Sequence, residues 1–103
     1  MSEKYRIQYT KKYFEDYLSI ILYFRNQLKL NKAVDSFKRR EYECVKNIKT
    51  MPNAYKKLSK KINNQDIRRA QFNNFTIFYS TKGSLISLRR IVYSKRDFDN
   101  LYL

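Results

Sequence analysis

The chain has 103 residues, 43% of them hydrophobic, and carries a formal net charge of +14 at pH 7. A chain of this length is predicted to form one domain, residues 1–103, with a modest core, and its single cysteine, Cys44, excludes an internal disulfide. Because histidine is absent, metal sites built on imidazole and the usual general base near neutral pH are excluded as well.

A short strand and an amphipathic helix are predicted first in the chain. Tyr5, Ile7 and Tyr9 alternate with polar residues, which is the period of a half-buried strand. Thr10 can then cap a helix, because its hydroxyl oxygen accepts a hydrogen bond from a backbone N–H of the first turn. Beyond it, apolar residues recur three and four positions apart as far as Leu28, and this spacing predicts a helix with one buried face.

A second helix of similar length is predicted from Asn31, which can cap it, to Met51. Its apolar stripe is interrupted midway by Glu41, and Pro52 ends it because the residue before a proline avoids helical angles. Two such helices joined by a short linker predict an antiparallel helical hairpin. Residues 52–65, which are rich in lysine, are predicted to form a mobile, solvated loop after the hairpin.

Three short antiparallel strands are predicted from Asp66 onward. Asn73 and Asn74 form the turn after the first strand, since asparagine tolerates positive φ, and the only glycine, Gly83, forms the turn after the second. The third strand, residues 85–93, carries apolar residues and one arginine on each face. Its orientation and the presence of a bulge therefore stay open.

The order of the predicted elements indicates the fold class. In the middle strand Phe75, Ile77 and Tyr79 share one face, which predicts a sheet with that face packed against the helices. A strand, a long helical hairpin and a three-stranded antiparallel meander (β-α-α-β-β-β) together predict a two-layer α+β fold. Since no apolar run is long enough to span a bilayer, cytoplasmic localisation is expected.

The positive charge is concentrated in the second half of the chain. Residues 44–96 hold thirteen basic side chains and one acidic side chain, a net charge of +12, and no acid lies between Ile67 and Arg96. We expect the guanidinium groups of the strands to cluster on one surface of the sheet. A field of this size attracts polyanions such as nucleic acid, although it would also suit an acidic protein partner.

Most signatures of catalysis are missing from the sequence. It contains no glycine-rich phosphate loop, no cysteine–histidine ligand set and no serine–histidine pair, and we expect neither a cofactor nor a metal. The carboxylate pairs Glu15/Asp16 and Glu41/Glu43 fall among lysines on helices, where solvation or ion pairing is expected. Any catalysis would rest on Lys, Arg and Tyr, a set that can cleave RNA when the 2′-OH is the nucleophile.

Two sequence motifs resemble those of a known family. Residues 75–79, FTIFY, and residues 88–97, LRRIVYSKRD, resemble motifs of the RelE/ParE superfamily of bacterial type II toxins, and the resemblance extends over essentially the whole chain. It implies a toxin neutralised by a cognate antitoxin, a flexible segment of which wraps around the toxin. RelE-like members cut mRNA in the ribosomal A site, and ParE-like members poison DNA gyrase.

The resemblance transfers only part of the RelE-like catalytic set. The arginine that the nucleases carry in the aromatic motif is Thr76 here, and threonine cannot hold the charge of a phosphate as a guanidinium does. The candidates for other nuclease positions are Arg69, Arg96 and Tyr102. The long helical hairpin resembles the ParE-like branch, so gyrase poisoning without enzymatic activity is the favoured hypothesis. A ribosome-dependent mRNA endoribonuclease and a non-toxic basic nucleic-acid-binding module are the alternatives.

Two sets of contact residues are predicted. Target-binding residues are expected in the basic strands and just after them: Arg68, Arg69, Arg90, Tyr93, Lys95 and Arg96. Antitoxin-binding residues are expected along an apolar groove beside the sheet and the hairpin: Tyr17, Ile21, Phe24 and Phe37. Such a groove accepts an amphipathic helix or an added strand, and the basic surface would attract an acidic antitoxin.

Overall fold

The computed structural model describes residues 4–95 together with Leu101 and Leu103. Within them the chain forms strands at the two ends and a helical hairpin between. The elements, in chain order, are β1 (Arg6–Tyr9), α1 (Lys11–Leu22), a π-helical segment (Tyr23–Gln27), α2 (Asn31–Thr50), β2 (Lys56–Ile62), β3 (Gln65–Phe72), β4 (Phe75–Lys82) and β5 (Leu85–Tyr93).

The strands form one sheet in the order β1-β5-β4-β3-β2. Strands β2 to β5 make an antiparallel meander, and β1 pairs in parallel with β5. The hairpin of α1 and α2 packs on one face of this sheet, which we call the inner face, and we call the opposite face the outer face. The predicted α+β fold and its order of strand, helical hairpin and meander are therefore confirmed.

The prediction of a solvated loop over residues 52–65 is wrong. Residues Lys56–Ile62 form β2, which pairs with β3 at the edge of the sheet. Leu58 and Ile62 pack against the outer face, while the lysines between them stay exposed. Lysine is tolerated here because an edge strand meets water along one side, where charge also discourages pairing with another chain.

The helical hairpin begins as predicted and differs in its middle. The hydroxyl of Thr10 caps α1 by accepting a hydrogen bond from the Tyr13 N–H at 3.2 Å, and it also donates to the Leu88 carbonyl at 2.8 Å. The predicted cap at Asn31 is wrong, because α2 already includes Asn31 and the capping position falls on Leu30, whose side chain makes no capping hydrogen bond.

The tight turns of the meander occur where asparagine and glycine were predicted. Asn73 adopts φ +49° between β3 and β4, and Gly83 adopts φ +58° between β4 and β5. The β2–β3 turn uses the same chemistry, with φ of +50° at Asn63 and +66° at Asn64. Two successive residues with positive φ match the right-handed twist of the flanking strands, which is why asparagine is favoured there.

A bulge in β5 decides which way its side chains face. Phe78 pairs with Arg90, whereas the next residue of β4, Tyr79, pairs with Leu88, so Arg89 is the additional residue. The bulge places both Leu88 and Ile91 in the inner core, although three positions separate them. The orientation that the sequence left open is thereby fixed.

The two faces of the sheet carry separate apolar clusters. The inner cluster joins the helices to the predicted inward face of β4 (Phe75, Ile77 and Tyr79), which confirms that alternation. The outer cluster contains Phe78 and is covered in part by Leu101. Within the described residues, no helix is both long enough and apolar enough to cross a membrane.

Candidate functional site

The arginines of the strands do not share one surface, so that prediction is wrong. Successive residues of a strand point to opposite faces, and β3 places Ile67 in the outer cluster and Ala70 in the inner one. Arg69 therefore lies on the outer face. Arg68 lies on the inner side, where its guanidinium donates a hydrogen bond to the Tyr55 carbonyl at 2.6 Å.

Arg90, one of the predicted target contacts, is placed by the structure in a buried ion pair. Only 7% of it is exposed, and its guanidinium binds the Asp16 carboxylate of α1 through two hydrogen bonds, at 2.6 Å from Nε and 2.9 Å from Nη2. Asp16 also accepts a hydrogen bond from the Ile91 N–H at 3.1 Å. Since β1 pairs with β5 only as far as Leu88, Asp16 satisfies a backbone group beyond the last rung of that pairing.

The predicted residues at the end of β5 lie apart from Arg69. The ring of Tyr93 stacks on Phe75 with centroids 4.7 Å apart and remains 44% exposed. Lys95 is exposed in the turn that faces Asn73. Arg96 and Tyr102 lie outside the described residues, so Arg69 is the one nuclease candidate that the structure locates.

The outer face gathers a different basic set from the predicted one. Arg89 lies there and donates from Nε to the Ser80 hydroxyl at 2.8 Å. Lys56 is the direct cross-strand partner of Arg69, so these two cations are neighbours on one face. Lys60, two positions beyond Leu58, donates to the Leu101 carbonyl at 3.3 Å. Like charges placed opposite each other on neighbouring strands repel, so this face carries a concentrated positive charge.

The contact residues that the sequence predicts do not include Arg89, Lys56 or Lys60. The sequence predicts a loop for Lys56 and Lys60, so it places them on neither face of the sheet, and the direction of Arg89 depends on the bulge. The Asn63-Asn64 dipeptide is the sequence feature that indicates a turn between β2 and β3, because it repeats the turn residues Asn73-Asn74.

Thr76 holds an internal position on β4. It is fully buried, and its hydroxyl pairs with the Ser94 hydroxyl at 2.8 Å. No cation stands at this position of the motif, and the hydroxyl is engaged by a neighbouring side chain.

The predicted antitoxin contacts prove to be core residues. Ile21 and Phe37 are buried, at 5% and 3% exposure, and Tyr17 and Phe24 pack against them from the edge of the same cluster. The Phe37 ring lies 5.0 Å from the Phe75 ring across the inner face. The helical stripe that contains Ile21 and Phe37 therefore packs on the sheet, and their role as antitoxin contacts stays a prediction.

A different stripe of α1 faces solvent. Phe14, Leu18 and Leu22 follow one another at four-residue spacing and are 54%, 42% and 48% exposed. Residues four apart stand above one another on a helix, so the three side chains form one continuous apolar strip, which we call the α1 strip. Large exposed apolar strips mark interaction surfaces more often than single exposed residues do.

Glu41 is a buried acid inside the hairpin. It is 6% exposed, and Tyr13 donates its hydroxyl hydrogen to Oε2 at 2.7 Å. Burial raises the pKa of Glu41 above its ordinary 4.5, and the hydrogen bond from Tyr13 opposes part of that shift. The same burial and the neighbouring carboxylate raise the pKa of Tyr13, so this phenol stays protonated.

Replacing Glu41 by glutamine is expected to raise the free energy of unfolding at pH 8 and to change it less as the pH falls towards 4.5. Because the folded-state pKa is raised, the stability linked to the protonated carboxyl is present below the unfolded-state pKa and is lost as the pH rises through the folded-state pKa. Glutamine cannot ionise and avoids this loss. Urea unfolding of both proteins at pH 8 and pH 5 measures the difference.

The matched control for this pair is Glu43→Gln, which removes an exposed acid from the same helix. It is expected to show no comparable dependence of the difference on pH. If Glu41→Gln changed the free energy of unfolding equally at both pH values, the conclusion that burial destabilises the charged Glu41 carboxylate would be contradicted.

Comparisons with known proteins agree with this geometry. A family model described as ParE toxin of type II toxin-antitoxin system, parDE, matches residues 7–98. A structure of the chromosomal ParDE TA system from P. aeruginosa has a TM-score of 0.67 and 17% identity, covering 91% of this chain and all of that chain (100%). The archaeal RelE–RelB complex from Pyrococcus horikoshii OT3 has a TM-score of 0.62 and 20% identity, covering 91% and 99%. These two structures show a shared fold, and no curated protein sequence matches the chain.

Proposed function

The chain belongs to the ParE toxin family of type II toxin-antitoxin systems, and from this premise we propose that it arrests growth by binding and poisoning DNA gyrase. The observation that carries the proposal is the match of the ParE toxin model to residues 7–98, which span the hairpin and the whole meander. Poisoning of this kind works by binding, so it needs a recognition surface and no general acid or base.

The outer face is the surface that we assign to the target. Arg69 and Arg89 lie on it with Lys56 and Lys60, and the sequences of β4 and β5 contain no acidic residue. Guanidinium groups bind carboxylate or phosphate through two parallel hydrogen bonds. Such a surface suits an acidic region of an enzyme or the DNA that gyrase holds. Lys95, Tyr93 and Arg96 remain proposed contacts at the end of β5.

Cleavage of mRNA is the second candidate, and one observation favours it. Arg69 and Arg89 both lie on the outer face, an arrangement that can hold an RNA phosphate. Thr76 weighs against it, since its buried hydroxyl cannot replace a guanidinium at a cleaved phosphate. This function would depend on Arg69, Arg96 and Tyr102.

A cognate antitoxin is proposed as the partner that neutralises the toxin. Both structural relatives are named as systems or complexes that pair a toxin with an antitoxin. The net charge of +14 favours a small acidic partner, because opposite charge speeds encounter and suppresses wrong partners. Gyrase and ribosomes are both intracellular, so the proposed site of action is the cytoplasm.

Purified gyrase is expected to lose supercoiling activity when this protein is added, and cleaved DNA is expected to accumulate. The double variant Arg69→Ala/Arg89→Ala should weaken inhibition by at least about tenfold, because two charge contacts that together contribute at least about 1.4 kcal/mol would be lost. Concentration series of each protein against a fixed amount of gyrase measure this change.

The matched control is Arg39→Ala/Arg40→Ala, which removes the same charge from the exposed side of α2. It should inhibit nearly as well as the unmodified protein. If excess protein leaves supercoiling unchanged and a labelled message is cut in the A site of translating ribosomes, the target is mRNA and not gyrase. If gyrase is not inhibited, mRNA is not cut and induced cells grow normally, the results support the non-toxic basic nucleic-acid-binding module. In the gyrase assay the acidic antitoxin should restore supercoiling.

A further inference from the structure

A pocket of about 280 Å³ lies where β1, α1 and α2 meet. Three tyrosines and one phenylalanine surround a single carboxyl group in it. The lining residues are Tyr9, Tyr13, Phe14, Tyr17 and Glu41. The rings of Tyr9 and Tyr13 stand 5.7 Å apart and are tilted by 54°, so they form two walls of the pocket rather than a stack.

The carboxylate in this pocket has no positive partner in the described part of the chain. Among residues 4–95, the one hydrogen bond to Glu41 comes from the Tyr13 hydroxyl, and no lysine or arginine lies within salt-bridge distance. Asp16, in contrast, binds Arg90 through both of its carboxylate oxygens. A buried carboxylate without a cation costs stability, and among residues 4–95 no lysine or arginine forms the ion pair with Glu41 that would remove that cost.

Aromatic rings arranged around a carboxylate are suited to a cation. The faces of tyrosine and phenylalanine rings are electron-rich and attract an ammonium or guanidinium group within about 6 Å. The carboxylate adds a direct charge-assisted hydrogen bond. The pocket volume is just below the range of about 300–1,000 Å³ that is usual for small-molecule sites, which fits one long side chain with a charged end.

The surroundings of the pocket indicate a protein as the source of the cation. Phe14 belongs both to the pocket and to the α1 strip, so the pocket opens at one end of that apolar strip. Tyr9 is 56% exposed and Tyr42, beside it on α2, is 67% exposed. A small free amine would leave these apolar side chains in water, whereas an amphipathic helix would cover them.

We propose that this pocket receives a lysine or arginine side chain from a partner helix whose apolar face covers the α1 strip. The cation pairs with Glu41 and is enclosed by the tyrosine rings, while the apolar contacts along Phe14, Leu18 and Leu22 hold the helix. The pocket fixes the register of the helix, because one cation at one position satisfies the buried carboxylate. This inference concerns a surface of the hairpin and is independent of whether gyrase or mRNA is the target.

The test uses small mimics of the side chain at pH 8, followed by NMR of the tyrosine rings. N-acetyl-arginine amide and N-acetyl-lysine amide are expected to bind with millimolar dissociation constants and to shift the signals of Tyr9 and Tyr17. The uncharged N-acetyl-norleucine amide should bind at least about fivefold more weakly. Glu41→Gln should weaken the charged mimics by a similar factor, and Glu43→Gln should not.

A second measurement uses a designed helical peptide with three leucines on one face and a single arginine next to them. It should bind at least about tenfold more tightly than the same peptide with citrulline in place of arginine, and Leu18→Ser should weaken it. Equal binding of charged and uncharged probes would overturn the proposal. Putrescine binding as tightly as the peptide would also overturn it, because the pocket would then be a site for a free amine. A homodimer that Phe14→Ser dissociates would overturn it as well, because a second copy of the chain would then cover the α1 strip.

Discussion

Replacing Asp16 by alanine is expected to lower the free energy of unfolding by about 3–5 kcal/mol. Its carboxylate binds the buried guanidinium of Arg90 through two hydrogen bonds and also accepts from the Ile91 N–H. In the variant the buried guanidinium of Arg90 would have no carboxylate partner, and the Ile91 N–H would lose its acceptor. Both changes destabilise the folded state. Urea unfolding followed by circular dichroism at pH 7 measures the change.

The matched control is Glu15→Ala, which removes the neighbouring exposed acid from the same turn of α1. It should change the free energy of unfolding by no more than about 0.5 kcal/mol, as surface substitutions usually do. Asp16→Asn should fall between the two, because an amide oxygen still accepts a hydrogen bond while the charge is lost. Equal stability of the alanine variants at positions 15 and 16 would contradict a structural role for the Arg90 pair.

Replacing Phe37 by alanine is expected to cost about 3–5 kcal/mol of stability. Phe37 is 3% exposed and meets the rings of Tyr17, Phe24, Phe72 and Phe75 at centroid distances of 5.0–6.1 Å. Truncation would open a cavity at the junction between the helical hairpin and the sheet, because the surrounding rings belong to different elements and cannot all close in. Chemical denaturation reports the loss directly.

The same variant separates a core role from a partner-binding role. If Phe37 were a partner contact, its truncation would weaken partner binding without lowering the denaturation midpoint. Tyr42→Ala is the control, since Tyr42 lies on the same helix and is 67% exposed. It should leave stability nearly unchanged. A stable Phe37→Ala protein would show that the hairpin packs on the sheet less tightly than the ring distances indicate.

The position of Asp16 explains how a small fold keeps a long hairpin in place. β1 supplies only four residues to the sheet, so the part of β5 beyond Leu88 has a neighbouring strand, β4, on one side only. α1 covers this part of the edge, and its carboxylate takes over the Ile91 N–H that a longer β1 would have bonded. Arg90 is therefore occupied in fixing the helix, and the outer face is left to Arg69 and Arg89.

The sequence by itself determined the elements whose chemistry is local. The cap at Thr10 and the turns at Asn73 and Gly83 act over four residues or fewer, so their signal is complete in the chain itself. The alternation along β4 separated its two faces correctly because the period of a strand is independent of what packs on it. The RelE/ParE resemblance gave the family for the same reason, since motif and element order are both properties of the chain.

Tertiary structure alone decided which side chains are available for function. Arg90 and Asp16 are 74 positions apart, and nothing near either residue in the sequence indicates that they pair. The bulge at Arg89 and the pairing of β2 depend on neighbouring strands, so the composition of the outer face followed from contacts that no local pattern records. For the same reason a helical stripe can be recognised as apolar from its period, while the sheet decides which apolar stripe is core and which one remains exposed.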